Sequence, residues 1–406
     1  MAGATRRDPA SRVIQPGATL GVLGGGQLGA MFAMAAKRMG YRVEAFSDSA
    51  DCPAARHCDR VHVGRYDDPA AVAAMARGLA VVTFEFENVS AAAAEALAAV
   101  VPVRPAPEVL FTTQDRGREK AFLVREGFPC APHRLVRSRH DLDAAVAAVG
   151  LPAVLKTAAF GYDGKGQRKL ESASGPAELD AAWAALGPGD LVLEGFVDFA
   201  CEISVVAARG LDGQTAVFAP TRNHHERHIL DLSTAPAGLP EVVVEEARRI
   251  AAAILETLGV VGVACVEFFV SREGRVLVNE IAPRPHNSGH LTIDACATSQ
   301  FEQQVRAICG LPLGSTRQLL PAAMANLLGD CWSRGEPDWS AALAVPGVSL
   351  LLYGKCDPRT GRKMGHLTAV ADSVAEAAAR VLEARGRACR EPAKPGASPL
   401  GPGGGV

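Results

Sequence analysis

From Ala18 onward the chain alternates short apolar runs with helical ones, in the order TLGVLG, a helix from Gln27 to Met39, YRVEAF, a helix from Pro69 to Arg77, and AVVTFEFE. Strands separated by helices in this way form βαβ units and pair in parallel, so the chain is expected to open as an α/β unit with a parallel sheet. A second block begins near Gln114 with DRGREKAFLVREGF, read as a helix, and continues through strands around PAVLKT and DLVLEGFV. In EVVVEEARRIAAAILETLG apolar residues recur at helical spacing, so one amphipathic helix is expected there, followed by strands VACVEFFV and RVLVNEIA. A third block, Leu311 to Arg385, holds GVSLLLYGK, a turn at DPRTGRK, HLTAVA and an alanine-rich helix. A chain of 406 residues is too long for one ordinary core, and two or three domains are the natural expectation.

The remaining segments are plainer. Residues 1–16 are polar and aperiodic, and 386–406 are rich in Pro and Gly, so both are expected to be disordered. No segment has 18 uninterrupted apolar residues, and nothing directs the chain into a membrane. With a formal charge of −2, no global field draws it toward nucleic acid, and any anionic ligand must be held locally. The ten cysteines are scattered without a C-x-x-C pair, and reduced thiols in a cytoplasmic protein are the simplest account. Cys52, His57 and Cys58 fit no zinc spacing well.

Two glycine-rich segments point to phosphate. Gly24, Gly26 and Gly29 in GGGQLG match G-x-G-x-x-G between a strand and a helix, with Glu44 about twenty positions on, the form of a dinucleotide fingerprint. Its physical content is narrower: a turn with little side-chain bulk lets a phosphate approach amides at a helix N-terminus, and such a loop holds any phosphate or none. In PAVLKTAAFGYDGKGQ, Lys156 ends a strand and Gly161, Gly164 and Gly166 follow, with Lys165 among them. That segment reads either as a backbone that closes over phosphates between two cations or as an ordinary hairpin turn. Farther on, LVLEGFV ends in Glu194, a possible edge for adenine through backbone groups, and Glu202 is spaced to reach ribose hydroxyls.

The carboxylates in VACVEFFVS and GRVLVNEIA are more informative. A symmetric hairpin turning at Glu273–Gly274 places Glu267 directly opposite Glu280. Like charges about 4.5–5.5 Å apart at Cβ repel, and within apolar strands that repulsion calls for a cation such as Mg²⁺ bridging ATP phosphates. The alternatives are that one carboxyl is protonated or that a bulge shifts the register.

The succession GGGQLG, FEFENV, QDRGREK, LKTAAFGYDGKGQ, LEGFV with Glu202, NHHERHILD, ACVEFFV, NEIAPRPHNSGHLTIDA and LYGK…RKMGH resembles the N5-carboxyaminoimidazole ribonucleotide synthetase family from about Ala18 to Arg385. Between the disordered leader (1–16) and tail (386–406) read from composition, the resemblance implies a Rossmann-like pre-ATP-grasp domain (17–115), an ATP-grasp domain (116–310) and a small C-terminal domain (311–385). It implies a cytoplasmic ligase of purine biosynthesis that uses ATP, Mg²⁺ and bicarbonate to carboxylate 5-aminoimidazole ribonucleotide by way of carboxyphosphate. A homodimer and a hand-off of product to the mutase that uses it are implied as well.

Residue by residue, the resemblance assigns to ATP Arg116, Lys156, the loop Gly161, Tyr162, Asp163, Gly164, Lys165, Gly166 and Gln167, then Glu194, Gly195, Phe196, Val197, Glu202, His225, Asn279 and Glu280. Glu267 and Glu280 become Mg²⁺ ligands. Tyr162, Asp163, Lys165, Arg284, His286, Lys355 and Arg362 are assigned to the ribonucleotide and the carboxylation step, with Gly26, Gln27 and Glu85 contributing from the first domain. Arg284, His286 and His290 have the alternative of simply bonding loop carbonyls, and His224 and His228 read as structural. The rival activities are a formate-dependent glycinamide ribonucleotide transformylase, an NAD-dependent oxidoreductase built on GGGQLG, and a catalytically silent ATP-binding regulator.

Overall fold

Three sheets carry the chain in the computed structural model, which describes residues 13–159, 166–187 and 189–390. The first is parallel, with β1 (Thr19–Leu23), β2 (Arg42–Ser47), β3 (Arg60–Val63) and β4 (Val81–Phe84) in the order β3-β2-β1-β4. The chain moves outward from β1 to β3 and then returns to the other side of β1. Connections therefore part between β1 and β4, leaving a crevice at their carboxyl ends. GGGQLG leaves β1 at that crevice into the helix Gln27–Arg38, and Glu85 and Glu87 leave β4 there.

The second sheet is antiparallel, with β5 (His133–Val136), β6 (Ala153–Thr157), β7 (Gln167–Leu170) and β8 (Leu191–Gly195) in the order β5-β8-β6-β7. Lys156 sits opposite Gln167, so the glycine segment between β6 and β7 connects a hairpin. The calls for phosphate on Gly161, Tyr162, Asp163, Gly164 and Lys165 fall outside the described residues.

The third sheet is built from β9 (Phe199–Arg209), β10 (Thr215–Val217), β11 (Thr221–Glu226), β12 (Ile229–Ala235), β13 (Gly262–Ser271), β14 (Val276–Ala282), β15 (Ala322–Leu328), β16 (Val348–Leu352) and β17 (Lys363–Val370). Its path is β14-β13-β9-β11-β12-β15-β17-β16, with β10 on β9. Because β12 pairs with β15, the strands after residue 311 continue this sheet through backbone hydrogen bonds. The expected amphipathic helix forms over Glu241–Thr257 and turns Val243, Ala247, Ile250, Ala251, Ile254 and Leu255 inward onto a core that includes Val205 of β9 and Val266 of β13. Fully burying a Val, Ile or Leu side chain stabilises by about 1.5–3 kcal/mol, and Ile254→Ala would cost about 2–5 kcal/mol.

Three expectations are corrected. Residues 13–16 are not loose, since the Ile14 N–H donates to the Cys309 carbonyl at 2.9 Å and the Tyr41 hydroxyl donates to the Ile14 carbonyl at 2.7 Å. The last helix runs over Val374–Cys389, beyond the expected start of the tail. Cys331 and Cys389 form a disulfide, whereas reduced thiols were expected throughout. Their separation of 58 residues carries no sequence signal; packing of that helix across β15 brings its end to the turn Gly329–Trp332. Among the described residues no helix is long and apolar enough to cross a membrane.

Candidate active site

The carboxylate pair sits as expected, by an unexpected route. From the turn the ladder runs Val270 to Val276, Phe269 to Leu277 and Phe268 to Val278, a register that would put Glu267 opposite Asn279. The register then shifts, Asn279 becomes the extra residue of a β-bulge, and beyond it Glu267 faces Glu280. Burial first, and Glu280 second, push the Glu267 carboxyl up to about 8. Burial acts on Glu280 too, but Arg116 and Lys156 outweigh it and hold Glu280 below its ordinary value. Arg116 Nη1 lies 3.0 Å from Glu280 Oε2.

His286 Nε2 approaches Glu267 Oε1 at 3.0 Å. The backbone N–H of Ser288 points at Nδ1 (3.3 Å), which makes Nδ1 the acceptor and leaves the hydrogen on Nε2. Burial, followed by the Arg284 charge, presses His286 down to about 3, so the ring is neutral and donates to Glu267.

Across from this hairpin, the second sheet and the helix Arg116–Arg125 present cations around Glu194. Lys156 and Lys120 approach its Oε2 at 3.2 and 3.5 Å. These two lysines and Arg116 overcome burial and hold Glu194 at about 2. Its side chain is thus an internal anion, a role the backbone reading of LVLEGFV did not foresee. The N–H groups of Gly195 and Phe196 are committed to the carbonyls of Pro132 (2.8 Å) and Pro152 (3.0 Å). Glu202 makes an ion pair with His225, and although burial opposes the charge, this contact raises His225 above its usual range. Arg116, Lys156, Gln167, Glu194, Gly195, Phe196, Val197, Glu202, His225, Glu267, Asn279, Glu280, Arg284 and His286 all line one cavity of about 910 Å³. His224 and His228, read as structural, border it too. Gly166 is not in its wall; it has φ +75°, and a Cβ there would lie 2.5 Å from Thr157 Oγ1.

The first sheet closes the cavity with Gly26, Gln27, Glu85 and Glu87. Arg284 Nη2 is 2.7 Å from Glu87 Oε1. The Glu85 carboxylate accepts hydrogen bonds from the amides of Gly26 and of Gly29, the latter at 2.6 Å. A Cβ on Gly24, at φ +125°, would overlap the Glu85 side chain, and one on Gly26 would lie 2.6 Å from its Oε1. The glycine loop therefore cradles an acceptor, as its sequence implies, but the acceptor is the protein's own Glu85 carboxyl, whose pKa burial raises even though the Gly29 and Gly26 amides oppose the shift. A dinucleotide pyrophosphate would have to displace it.

Family models match the chain in three places: a ribonucleotide synthetase preATP-grasp domain over residues 17–114, an ATP-grasp domain over 121–301 and a phosphoribosylaminoimidazole carboxylase C-terminal domain over 322–380. The N5-carboxyaminoimidazole ribonucleotide synthase of Brucella melitensis is 46% identical over 357 residues, covering 88% of this chain and 97% of that protein. The chain belongs to that family. N5-carboxyaminoimidazole synthetase from Staphylococcus aureus, solved with ADP, superposes with a TM-score of 0.87 at 32% identity, covering 93% of this chain and all of that one. N5-carboxyaminoimidazole synthase from Aspergillus clavatus, solved with ADP and 5-aminoimidazole ribonucleotide, gives 0.81 at 28% identity, over 94% of this chain and all of that one.

As a member of the N5-carboxyaminoimidazole ribonucleotide synthase family the chain is an ATP-grasp ligase that carboxylates aminoimidazole ribonucleotide at the expense of ATP, and the transformylase reading is not favoured. Two residues assigned to the synthase chemistry stand back from the cavity wall. Lys355 Nζ donates to the Lys363 carbonyl at 2.7 Å, and Arg362 Nη1 donates to the Asp357 carbonyl at 2.8 Å. Lys363 reaches the wall instead. Glu87, Glu119 and Lys120 were not singled out from sequence. Glu87 had a signal, its place two residues after Glu85 at a strand end. Glu119 and Lys120 had only their place in QDRGREK, and their burial was not legible because charged residues in a helical run ordinarily face water.

Proposed function

We propose that this ligase activates bicarbonate with ATP and that the Glu267–Glu280 pair is the seat of the Mg²⁺ that accompanies the nucleotide. The opposed carboxylates, flanked by Arg116 and Lys156 and facing Arg284 and His286, carry this reading. Their fit to a hard cation rests on two observations. Burial and mutual repulsion hold Glu267 near a pKa of 8, so a cation there would relieve both. The buried Oδ1 of Asn279, between them in sequence, has no hydrogen-bond partner. Among the described residues no three His, Cys, Asp or Glu side chains form a self-sufficient metal site, so a cation here would need ligands beyond the pair. Two carboxylates suffice when substrate phosphates complete the shell, the usual arrangement for Mg²⁺. When bound, Mg²⁺ would neutralise charge on the ATP phosphates.

The chain's own residues supply the rest. Lys156 and Arg116 bring positive charge to the transferring phosphoryl group, whose charge spreads over its oxygens in the transition state. Bicarbonate oxygen attacks the γ-phosphorus, ADP leaves, and the carboxyphosphate formed splits into CO2 and phosphate. The exocyclic amine of the ribonucleotide attacks CO2 and loses a proton to give the carbamate. Arg284, braced by Glu87, is placed to hold the ribonucleotide, and Glu202 with His225 to meet the ATP ribose. The neutral His286 orients Glu267, and its Nδ1 is turned to Ser288, so a direct role as base would require that contact to open. Tyr162, Asp163 and Lys165 retain their assignments on sequence alone, as do Lys355 and Arg362.

Assembly as a homodimer through the first domain, a division into units at 115/116 and 310/311, a cytoplasmic setting and a hand-off to the product-using mutase belong to the same proposal. Its test is phosphate release from ATP with bicarbonate or formate crossed against aminoimidazole and glycinamide ribonucleotides. Turnover should need Mg²⁺ and rise only for bicarbonate with aminoimidazole ribonucleotide. Equal turnover with formate and glycinamide ribonucleotide would overturn it.

A further inference from the structure

The bulge at Asn279 decides on which face Glu280 emerges. Side chains alternate along a strand, so a register continued unbroken from the turn would pair Glu267 with Asn279 and send Glu280 to the opposite face, across from Val266. An extra residue also leaves backbone groups that the ladder cannot pair, and buried groups of that kind need other partners.

One helix supplies them. In Arg116–Arg125, whose first turn is capped by the Asp115 side chain, consecutive residues reach the two sides of the bulge. Lys120 Nζ donates to the Asn279 carbonyl at 2.8 Å, and Glu119 Oε2 accepts from the Ile281 N–H at 2.8 Å. On the turn side, the Val278 N–H donates to the Pro129 carbonyl at 2.7 Å. Both side chains are buried, Lys120 at 0% exposure and Glu119 at 2%. Burying a lysine and a carboxyl is costly even where burial favours the neutral carboxyl, and apolar residues would pack this helix as well. Lys120 also faces Glu194, but Glu119, among the described residues, meets only the bulge and its neighbouring charges, so its place there needs a reason beyond cohesion.

We propose that Glu119 and Lys120 are positioning residues that hold the bulge at Asn279 and thereby keep Glu280 on the same face as Glu267. The inference rests on the reading of that pair as the Mg²⁺ seat. It assigns no substrate contact to either residue.

Two measurements test it. Amide hydrogen exchange over residues 278–282, in protein free of metal and nucleotide, reads the bulge itself; Mn²⁺ binding with ADP, followed by electron paramagnetic resonance, reads its consequence. Glu119→Leu should speed exchange at Ile281 and weaken Mn²⁺ about tenfold each, while KM for the ribonucleotide stays within about twofold. Lys120→Met should act in the same direction. Glu119→Gln keeps an acceptor and should keep the exchange protection that Leu loses. Glu119→Asp withdraws the carboxylate by one methylene and is mild enough to fold in any case; it should speed exchange at Ile281 about threefold. Unchanged exchange in Glu119→Asp, or loss of ribonucleotide and Mn²⁺ binding in equal measure in Glu119→Leu, would overturn the proposal. Glu280→Gln separates the two readings. If it leaves Mn²⁺ affinity intact, the metal seat falls and this inference with it; if it weakens Mn²⁺ where Glu119→Leu does not, only the positioning role falls.

Discussion

Two regions of this chain hold carboxylates against the same cavity, and they balance the charge differently. At the end of β4, Glu85 points back into GGGQLG, where two backbone amides meet it. At the β13–β14 hairpin, Glu267 and Glu280 face each other, with His286 and Arg116 reaching them from either side. The first arrangement is closed: donor and acceptor both belong to the protein, and glycines are required because Glu85 occupies the space their side chains would take. The second sets two carboxyls against each other: burial and Glu280 push Glu267 up to about 8, toward its neutral form, while Arg116 and Lys156 keep Glu280 charged. A motif made for anions is thus consumed internally, while strands with no motif beyond two glutamates hold a carboxyl pair whose full ionisation burial and mutual repulsion oppose. Which of them serves chemistry follows from what remains unpaired.

The largest expected effect breaks the second arrangement. Glu280→Gln keeps the shape and removes one charge. By analogy with the loss of one transition-state electrostatic partner, kcat should fall roughly 10²–10³-fold, about 2.7–4 kcal/mol, with every acceptor and in the background ATPase. Near-normal kcat with unaltered Mg²⁺ dependence would remove the hairpin from the catalytic centre. Arg284→Ala should act elsewhere in the cavity. Losing a charged hydrogen-bond partner of the ribonucleotide costs about 1.5–3 kcal/mol, seen as a KM for that substrate raised roughly 10–100-fold while KM for ATP holds. A rise in both constants together would merge the two subsites that the comparison keeps apart.

The closed region should respond in stability rather than in rate. Gly24→Ala forces a side chain into φ +125° and onto Glu85, and should lower unfolding free energy by about 1–3 kcal/mol in a urea titration. A neutral substitution would mean that the loop does not need its glycine for Glu85. The smallest effect comes from behind the cavity, where His366 is buried against Tyr353 and burial holds its pKa down at about 3. The folded form stays neutral while the unfolded chain takes up a proton below about 6.5. Stability from this group is therefore complete above that pH and lost as pH falls toward 3, about 1 kcal/mol of it between pH 7 and 5.5. Melting curves at those two pH values should differ less in His366→Phe than in the parent protein.

Much of the fold was legible because periodicity is local. The amphipathic helix Glu241–Thr257, the parallel opening sheet and the pairing of Glu267 with Glu280 all follow from patterns within a few dozen residues. The pairing shows the limit of such reading. A symmetric hairpin predicts it, yet the observed turn is offset and a bulge restores it; the sequence does not reveal that compensation because the residues sustaining it, Glu119 and Lys120, lie about 160 positions away on another element. The same holds for Glu85 in the glycine loop, 56 residues from the amide of Gly29 that it meets.

By itself, then, the sequence determined the order of strands and helices, the family, and most of the charged residues gathered around the cavity, since these depend on spacing along the chain and on motif chemistry. Tertiary structure alone decided which acceptor fills GGGQLG, that the strands after residue 311 join the same sheet as β9 to β14, that Cys331 meets Cys389, and which carboxylates keep their charge. Burial and through-space pairing set those outcomes, and both depend on residues brought together from distant parts of the chain.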